Sequence, residues 1–231
     1  MEFSKMVFDG GFILADAALK PSPDWFDPAY WQRKGTGQPL GRGRGVAVSA
    51  GAEGQWVLRH YHRGGVPGRL IRDSYIWHGE SAARPVRELR VLAELAEAGA
   101  PVPDPVAVRV VRSGLFYRAD ILVARIRNAW TLADVAMTLP EARWVEVGRA
   151  VRRFHAVGGW HADLNANNIL VTPDRVVIID LDCGCSECTN PHKQRANLDR
   201  LLRSLHKLNL MPAAENGWRT LLEAYAVFDP G

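Results

Sequence analysis

Between residues 161 and 180 the chain reads His161-Ala162-Asp163-Leu164-Asn165-Ala166-Asn167-Asn168, then two short apolar runs, then Asp180. No other stretch restricts the possible folds as strongly. The runs Ile169-Leu170-Val171 and Val176-Val177-Ile178-Ile179 are too short for helices, and Thr172-Pro173-Asp174-Arg175 between them is a turn signal. Upstream, Trp144, Val147, Val151 and Phe154 share one helical face over about 141–157, and Gly158-Gly159 ends it. The order is therefore helix, polar loop, strand pair and acidic end.

That order carries a specific chemistry. Moving a γ-phosphoryl group needs a carboxylate to orient and deprotonate the attacking hydroxyl, and oxygen ligands to hold Mg²⁺ against the phosphates. Asp163 suits the first role. Asn168, five residues on, can return to the same pocket as one metal ligand, and Asp180 at the end of the second strand can supply another. A polar loop whose Asp and Asn side chains merely cap turns would explain any one of these residues. It does not explain all of them in this order.

The remaining chain divides in two. Residues 1 to about 40 read as irregular, with prolines at 21, 23, 28 and 39 and a cluster of Trp25, Phe26, Tyr30 and Trp31 that suits covering a sheet edge. Gly41-Arg42-Gly43-Arg44-Gly45, Val46-Ala47-Val48, a break at 51–54 and Trp56-Val57-Leu58-Arg59-His60-Tyr61 read as strand, turn, strand. A basic insert follows from Arg63 to about Arg84. A helix over about 85–98 begins at Pro85, buries Val86, Leu89, Leu92 and Leu95, and stops at Gly99 and Pro101. Segments 106–112 and 115–126 form a hairpin at Ser113-Gly114. From Thr131 the pattern turns helical, and Leu198, Leu201, Leu202 and Leu205 keep core spacing near the end. The expected class is α+β in two lobes: a β-rich one over 1–128 and a helical one over 129–231.

Composition limits the alternatives. The 231 residues are 47% hydrophobic and 23% charged, as in an ordinary globular protein, and no apolar run is long enough to span a bilayer. The first residues lack a secretory pattern, so a cytoplasmic location is expected. The net charge of +4 comes almost wholly from arginine, with no lysine between Lys34 and Lys193. Cys183, Cys185 and Cys188 with His192 have four potential zinc donors, yet structural zinc usually takes ligand pairs from two separate loops. Reduced thiols are the expectation.

His161-x-Asp163-Leu164-x-x-x-Asn168, a hairpin and Asp180 resemble the catalytic and metal-binding loops of the protein-kinase-like superfamily, which includes aminoglycoside phosphotransferases. The resemblance implies a bilobal kinase fold, ATP and Mg²⁺ as cofactors, Asp163 as catalytic residue, and Asn168 and Asp180 as metal ligands. Gly41, Gly43 and Gly45 stand where a glycine-rich loop would approach phosphates, although a plain hairpin turn also accounts for them. Such kinases pair a lysine on the third strand with a helix glutamate. Arg59 is the basic residue available for that position, with Glu88 as partner. Two departures matter: Ala162 replaces the usual Arg of His-Arg-Asp, and Asp180-Leu181-Asp182 replaces Asp-Phe-Gly. Asp182 then reads as a further ligand or as a turn cap.

The strings Trp56 to Gly65, Asp73-Ser74-Tyr75, Tyr117-Arg118-Ala119-Asp120 and His161 to Leu170 more narrowly resemble the 3-deoxy-D-manno-octulosonic acid (Kdo) kinases of Gram-negative bacteria, over residues 25–205. This implies phosphorylation of the Kdo 4-hydroxyl on Kdo–lipid IVA in lipopolysaccharide inner-core synthesis. The enzyme would be a peripheral monomer at the cytoplasmic face of the inner membrane, touching anionic lipid and no nucleic acid. Arginine suits the phosphates and carboxylate of such an acceptor. The insert 63–84, with Arg63, Arg69, Arg72 and Arg84 among Leu70, Ile71, Tyr75, Ile76 and Trp77, reads either as a membrane-surface segment or as a loop packed on its own lobe. Another small molecule is the alternative acceptor, but the arginine excess disfavours cationic aminoglycosides. A protein kinase would need an Ala-Pro-Glu segment after Asp182, and a nucleic-acid module has no use for Asp163, Asn168 and Asp180 together.

Overall fold

A computed structural model of the chain describes residues 1–40, 45–49, 54–62, 73–211 and 213–227. The chain forms two compact units: Met1–Ala93 with Asp104–Arg125, and Glu94–Pro103 with Ile126–Gly231.

The first unit opens with a hairpin, β1 (Phe3–Phe8) and β2 (Gly11–Asp16), where irregular chain was expected. Its two-residue link, Asp9-Gly10, supplies the reason: Gly10 has φ +79°, a conformation that glycine adopts without steric cost. A 3₁₀ turn (Pro23–Phe26) and α1 (Pro28–Arg33) follow, capped by the Ser22 and Asp27 side chains. Next come β3 (Gly37–Pro39), β4 (Gly45–Ser49), β5 (Gln55–His60), β6 (Tyr75–Ile76), α2 (Arg84–Glu97), β7 (Pro105–Ser113) and β8 (Phe116–Ala124). The strands form one antiparallel sheet in the order β1-β2-β7-β8-β5-β4-β3, with β6 also on β8. Trp25, Phe26 and Trp31 lie in the core with Ile13, Trp56, Leu58 and Leu122, so they cover a sheet face instead of an edge. Trp31 Nε1 donates to the Trp25 carbonyl at 2.7 Å, which satisfies the buried indole.

The second unit contains β9 (Trp130–Thr131), α3 (Leu132–Val135), α4 (Glu141–Ala156), β10 (Ile169–Val171), β11 (Val176–Ile178), α5 (Pro191–Lys207) and α6 (Glu215–Val227). The expected strand pair is present as an antiparallel ladder, Ile169 opposite Ile178, with β9 on its other side. Trp144, Val147, Val151 and Phe154 are buried on α4 as their spacing requires. Helices α4 and α6 cross closely: a Cβ on Gly148 would lie 2.4 Å from the Leu221 carbonyl oxygen, and one on Gly217 2.2 Å from the Trp144 indole nitrogen.

Candidate active site

The loop between α4 and β10 is built around one buried imidazole. His161 Nε2 donates to the Ile179 carbonyl at 2.9 Å, while its Nδ1 accepts the Asp163 backbone N–H at 2.9 Å. A ring that donates through one nitrogen and accepts at the other is neutral. Burial favours that form and pushes the pKa down, against the opposing charges of Asp180 and Asp163.

Asp163 is fixed at both ends. Its carbonyl accepts from Asn165 Nδ2 at 3.1 Å and from Asn168 Nδ2 at 2.9 Å. Its carboxylate accepts from Arg200 Nη1 at Oδ1, 2.9 Å, and from Asn165 Nδ2 at Oδ2, 3.1 Å. The side chain is still 64% exposed, so a substrate can reach it. Because Asn168 spends its N–H on the loop, its amide oxygen is the atom left to bind a cation. Ile179 N–H donates to the Asn168 carbonyl at 2.9 Å, which extends the hairpin ladder by one residue and sets Asp180 immediately beyond Asn168. Asp180 is exposed and carries φ +66°.

These donors fit magnesium, a hard cation that takes few protein oxygens and keeps several waters. No group of three or more His, Cys, Asp or Glu among the described residues is arranged to hold a metal. An ion here would rest on the Asn168 amide oxygen, the Asp180 carboxylate, water and phosphate.

Three polar residues of α5 hold the loop, and the sequence reading passed over all of them. Asn197, 2% exposed, accepts the His161 N–H at 3.1 Å and donates to the His161 carbonyl at 2.7 Å. Ser204 Oγ accepts the Ala166 N–H at 2.9 Å, and Arg200 binds Asp163. Their spacing of three and four residues puts them on one helix face, a signal present in the sequence beside the leucine stripe. The Asn197 oxygen also meets His155 Nε2 at 3.2 Å, and His155 Nδ1 meets the Tyr225 hydroxyl at 2.8 Å.

The cysteine stretch has a structural place. Trp160 and Cys185 exchange backbone hydrogen bonds of 2.8 and 3.0 Å, and Cys188 N–H donates to the Gly158 carbonyl at 2.7 Å. A Cβ on Gly158 would lie 2.5 Å from the Ser186 carbonyl, so this strand-like segment presses on the turn that leads into His161. Cys183 is exposed, Cys185 half-buried and Cys188 buried, and none forms a disulfide among the described residues.

In the first unit Arg59 Nη2 binds Glu88 Oε1, and the Tyr61 hydroxyl binds Glu88 Oε2. Glu88 is 3% exposed on α2, so its charge is matched by the guanidinium and a hydroxyl inside the unit. The expected strand–helix ion pair between Arg59 and Glu88 thus forms. Gly45 lies directly opposite Arg59 in the β4–β5 ladder; Gly41 and Gly43 lie outside the described residues.

The description "Lipopolysaccharide kinase (Kdo/WaaP) family" matches residues 29–225. The chain belongs to this family. Among lipopolysaccharide kinases, it is 41% identical to the 3-deoxy-D-manno-octulosonic acid kinase of Vibrio parahaemolyticus over 192 residues, 81% of this chain and 80% of that protein. It is 43% identical to the enzyme of the same name from Stenotrophomonas maltophilia (strain K279a), covering 79% and 74% of the two chains. With the Haemophilus influenzae enzyme of that name it shares 34% over 227 residues, 91% and 93% of the two. Two solved structures share the fold. WaaP in complex with acyl carrier protein gives a TM-score of 0.54 at 17% identity, covering 85% of this chain and 81% of that one. Glucosamine kinase gives 0.52 at 13% identity, covering 96% and 78%. The fold is protein-kinase-like, and the chain is an ATP-using phosphotransferase with an alcohol acceptor.

Proposed function

We propose that the chain transfers the γ-phosphoryl group of ATP to the 4-hydroxyl of Kdo on Kdo–lipid IVA, in inner-core synthesis at the cytoplasmic face of the inner membrane. The observation that carries this reading is the Asp163 carboxylate, exposed yet held by Arg200 and Asn165, on the loop whose Asn168 carbonyl accepts from Ile179, one residue before Asp180. The similarity to Kdo kinases over about four-fifths of the chain supports the acceptor.

In this mechanism Asp163 takes the acceptor's hydroxyl proton as the hydroxyl oxygen bonds to the γ-phosphorus, and the bond from that phosphorus to the bridging oxygen of ADP breaks. Asn168 and Asp180 would hold Mg²⁺, which when bound neutralises phosphate charge. Residues 1–128 serve the nucleotide, with the Arg59–Glu88 pair presenting a guanidinium to its phosphates. Gly41, Gly43 and Gly45 would let backbone N–H groups approach those phosphates. Residues 129–231 carry the catalytic and metal-binding loops. Neutral His161 acts only as a strut between Asp163 and Ile179.

A peripheral contact with anionic lipid fits the surface of the first unit. Ile76, Leu115 and Phe116 are 51%, 78% and 40% exposed at the adjoining ends of β6 and the β7–β8 hairpin. Arg112 and Arg118 flank them, and no acidic residue occurs between Asp104 and Asp120. No helix among the described residues is long and apolar enough to cross a membrane.

The test is incubation with γ-labelled ATP and Kdo–lipid IVA beside a free sugar, an aminoglycoside and a generic protein. Label confined to the lipid, and lost by at least about 10³-fold in a folded Asp163→Ala variant, is the expected result. Label in another acceptor alone would overturn the substrate, and full activity of Asp163→Ala would remove Asp163 from the mechanism.

A further inference from the structure

Arg200 makes an ion pair whose contribution to stability does not explain it. Its Nη1 is 2.9 Å from Asp163 Oδ1, yet the two side chains remain 47% and 64% exposed. Pairs that open to water contribute only about 0–1 kcal/mol. Helix α5 is tied to the loop independently, through buried Asn197 one turn before Arg200 and Ser204 one turn after it. The guanidinium is therefore set over Asp163 by anchors other than its own bond.

A guanidinium has five N–H donors in a rigid planar fork. Arg200 uses Nη1 on Asp163, and the donors on Nε and Nη2 make no hydrogen bond to the described residues. An acceptor that brings its own negative charge up to the Asp163 carboxylate meets repulsion unless a cation lies beside the reacting hydroxyl. Arg200 is the cation bonded to Asp163.

The geometry points to Arg200 as a binding site for a carboxylate of the acceptor. One edge of the guanidinium holds Asp163 while the remaining donors take an acid group carried within the same sugar ring as the attacked hydroxyl. Lysine could not do both, because a compact ammonium lacks the second edge. The inference rests on the reading of Asp163 as the group that receives the hydroxyl proton.

The experiment compares the wild type with Arg200→Gln and Arg200→Lys on the lipid-linked acceptor in two forms, with the Kdo carboxylate free and converted to its carboxamide. Acceptor affinity without ATP and kcat/KM are both measured. For Arg200→Gln the expected loss in affinity and kcat/KM is about 10- to 100-fold on the free acid, the size of a charge-assisted hydrogen bond, and several-fold smaller on the carboxamide. Arg200→Lys should recover part of the activity on both forms but little of the preference for the acid. Equal losses on both forms, with acceptor affinity unchanged, would show that Arg200 only positions Asp163 and overturn the inference. Failure of the underlying reading looks different, since Asp163→Ala would then stay active on either form. Arg195→Ala, which breaks only an exposed pair with Asp199 one turn away, controls for loss of charge on the helix.

Discussion

Asp180 sits at φ +66°, in the left-handed region where a Cβ normally crowds the following carbonyl. Asp and Asn tolerate that region better than most residues, because a short polar side chain can bond locally. The position therefore separates chemistry from folding. Asp180→Asn keeps shape and backbone preference while removing the charge, so the variant should melt within a degree or two of wild type. Its ATP affinity in the presence of magnesium should fall at least about 10-fold, with affinity in the absence of magnesium unchanged. Titration calorimetry with and without the ion checks this, and an unaltered magnesium-dependent affinity would end the ligand role of Asp180. Asp180→Ala is the poorer probe, because it adds backbone strain of about 1–2 kcal/mol to the loss of charge. Cys183, at φ +61°, shares the same constraint, so substitutions there report on the turn as well as on the thiol.

At the scale of elements, periodicity made most of the second unit readable and local polarity did not. The β10–β11 hairpin and α4 follow from apolar runs whose lengths and spacings admit one interpretation. The β1–β2 hairpin precedes a stretch whose prolines from 21 onward suggest irregular chain, although Asp9-Gly10 between apolar runs is a strong turn signal. Asp163, Asn168 and Asp180 stood out because motif and hairpin order both pointed to them. Asn197, Arg200 and Ser204 did not, because a polar residue on an amphipathic helix is usually solvated and only the fold shows that the loop lies over them. Asn197 is the most demanding of the three. Replacing it by leucine would leave the His161 N–H, the His161 carbonyl and His155 Nε2 without a buried partner. At about 1–3 kcal/mol for each unsatisfied group, the loss should reach at least about 3 kcal/mol. Denaturant unfolding of Asn197→Leu measures it. Aspartate at the same position would keep the acceptor but not the donor, and should lose less.

Histidines in both units tie stability to pH, and the two units act in opposite directions: burial lowers His155 and His161 in the second, while His60 is raised in the first. In the second unit burial holds His155 near a pKa of about 4, its ring donating to Asn197 and accepting from the Tyr225 hydroxyl. The unfolded chain, with an ordinary value near 6.5, then binds the proton more readily than the folded one. This contribution is complete above about pH 6.5 and disappears as the pH falls toward 4, a swing of roughly 3 kcal/mol. In the first unit the hydrogen bond that His60 Nδ1 donates to the Asp120 carboxylate raises His60, opposed by burial and helped by the charges of Asp120 and Asp73. Here the folded state binds the proton better, so the contribution is present below about pH 6.5 and fades as the pH rises through the raised value. Arg109 holds the other oxygen of Asp120 at 2.8 Å, and Arg118 holds Asp73 at 3.0 Å, so both carboxylates keep a partner after His60 deprotonates. Loss of the His60 charge should therefore weaken the first unit without unfolding it. Calorimetric scans from pH 4 to 9 should give a stability maximum between the two titrations. In His155→Gln, which stays neutral and can still donate to Asn197, the acid side should become shallower, with the share of His161 remaining, while the alkaline side is unchanged; in His60→Gln the alkaline side should become shallower instead. An acid limb as steep in His155→Gln as in the wild type would mean that protonation elsewhere, and not the buried ring beneath the catalytic loop, sets the lower limit.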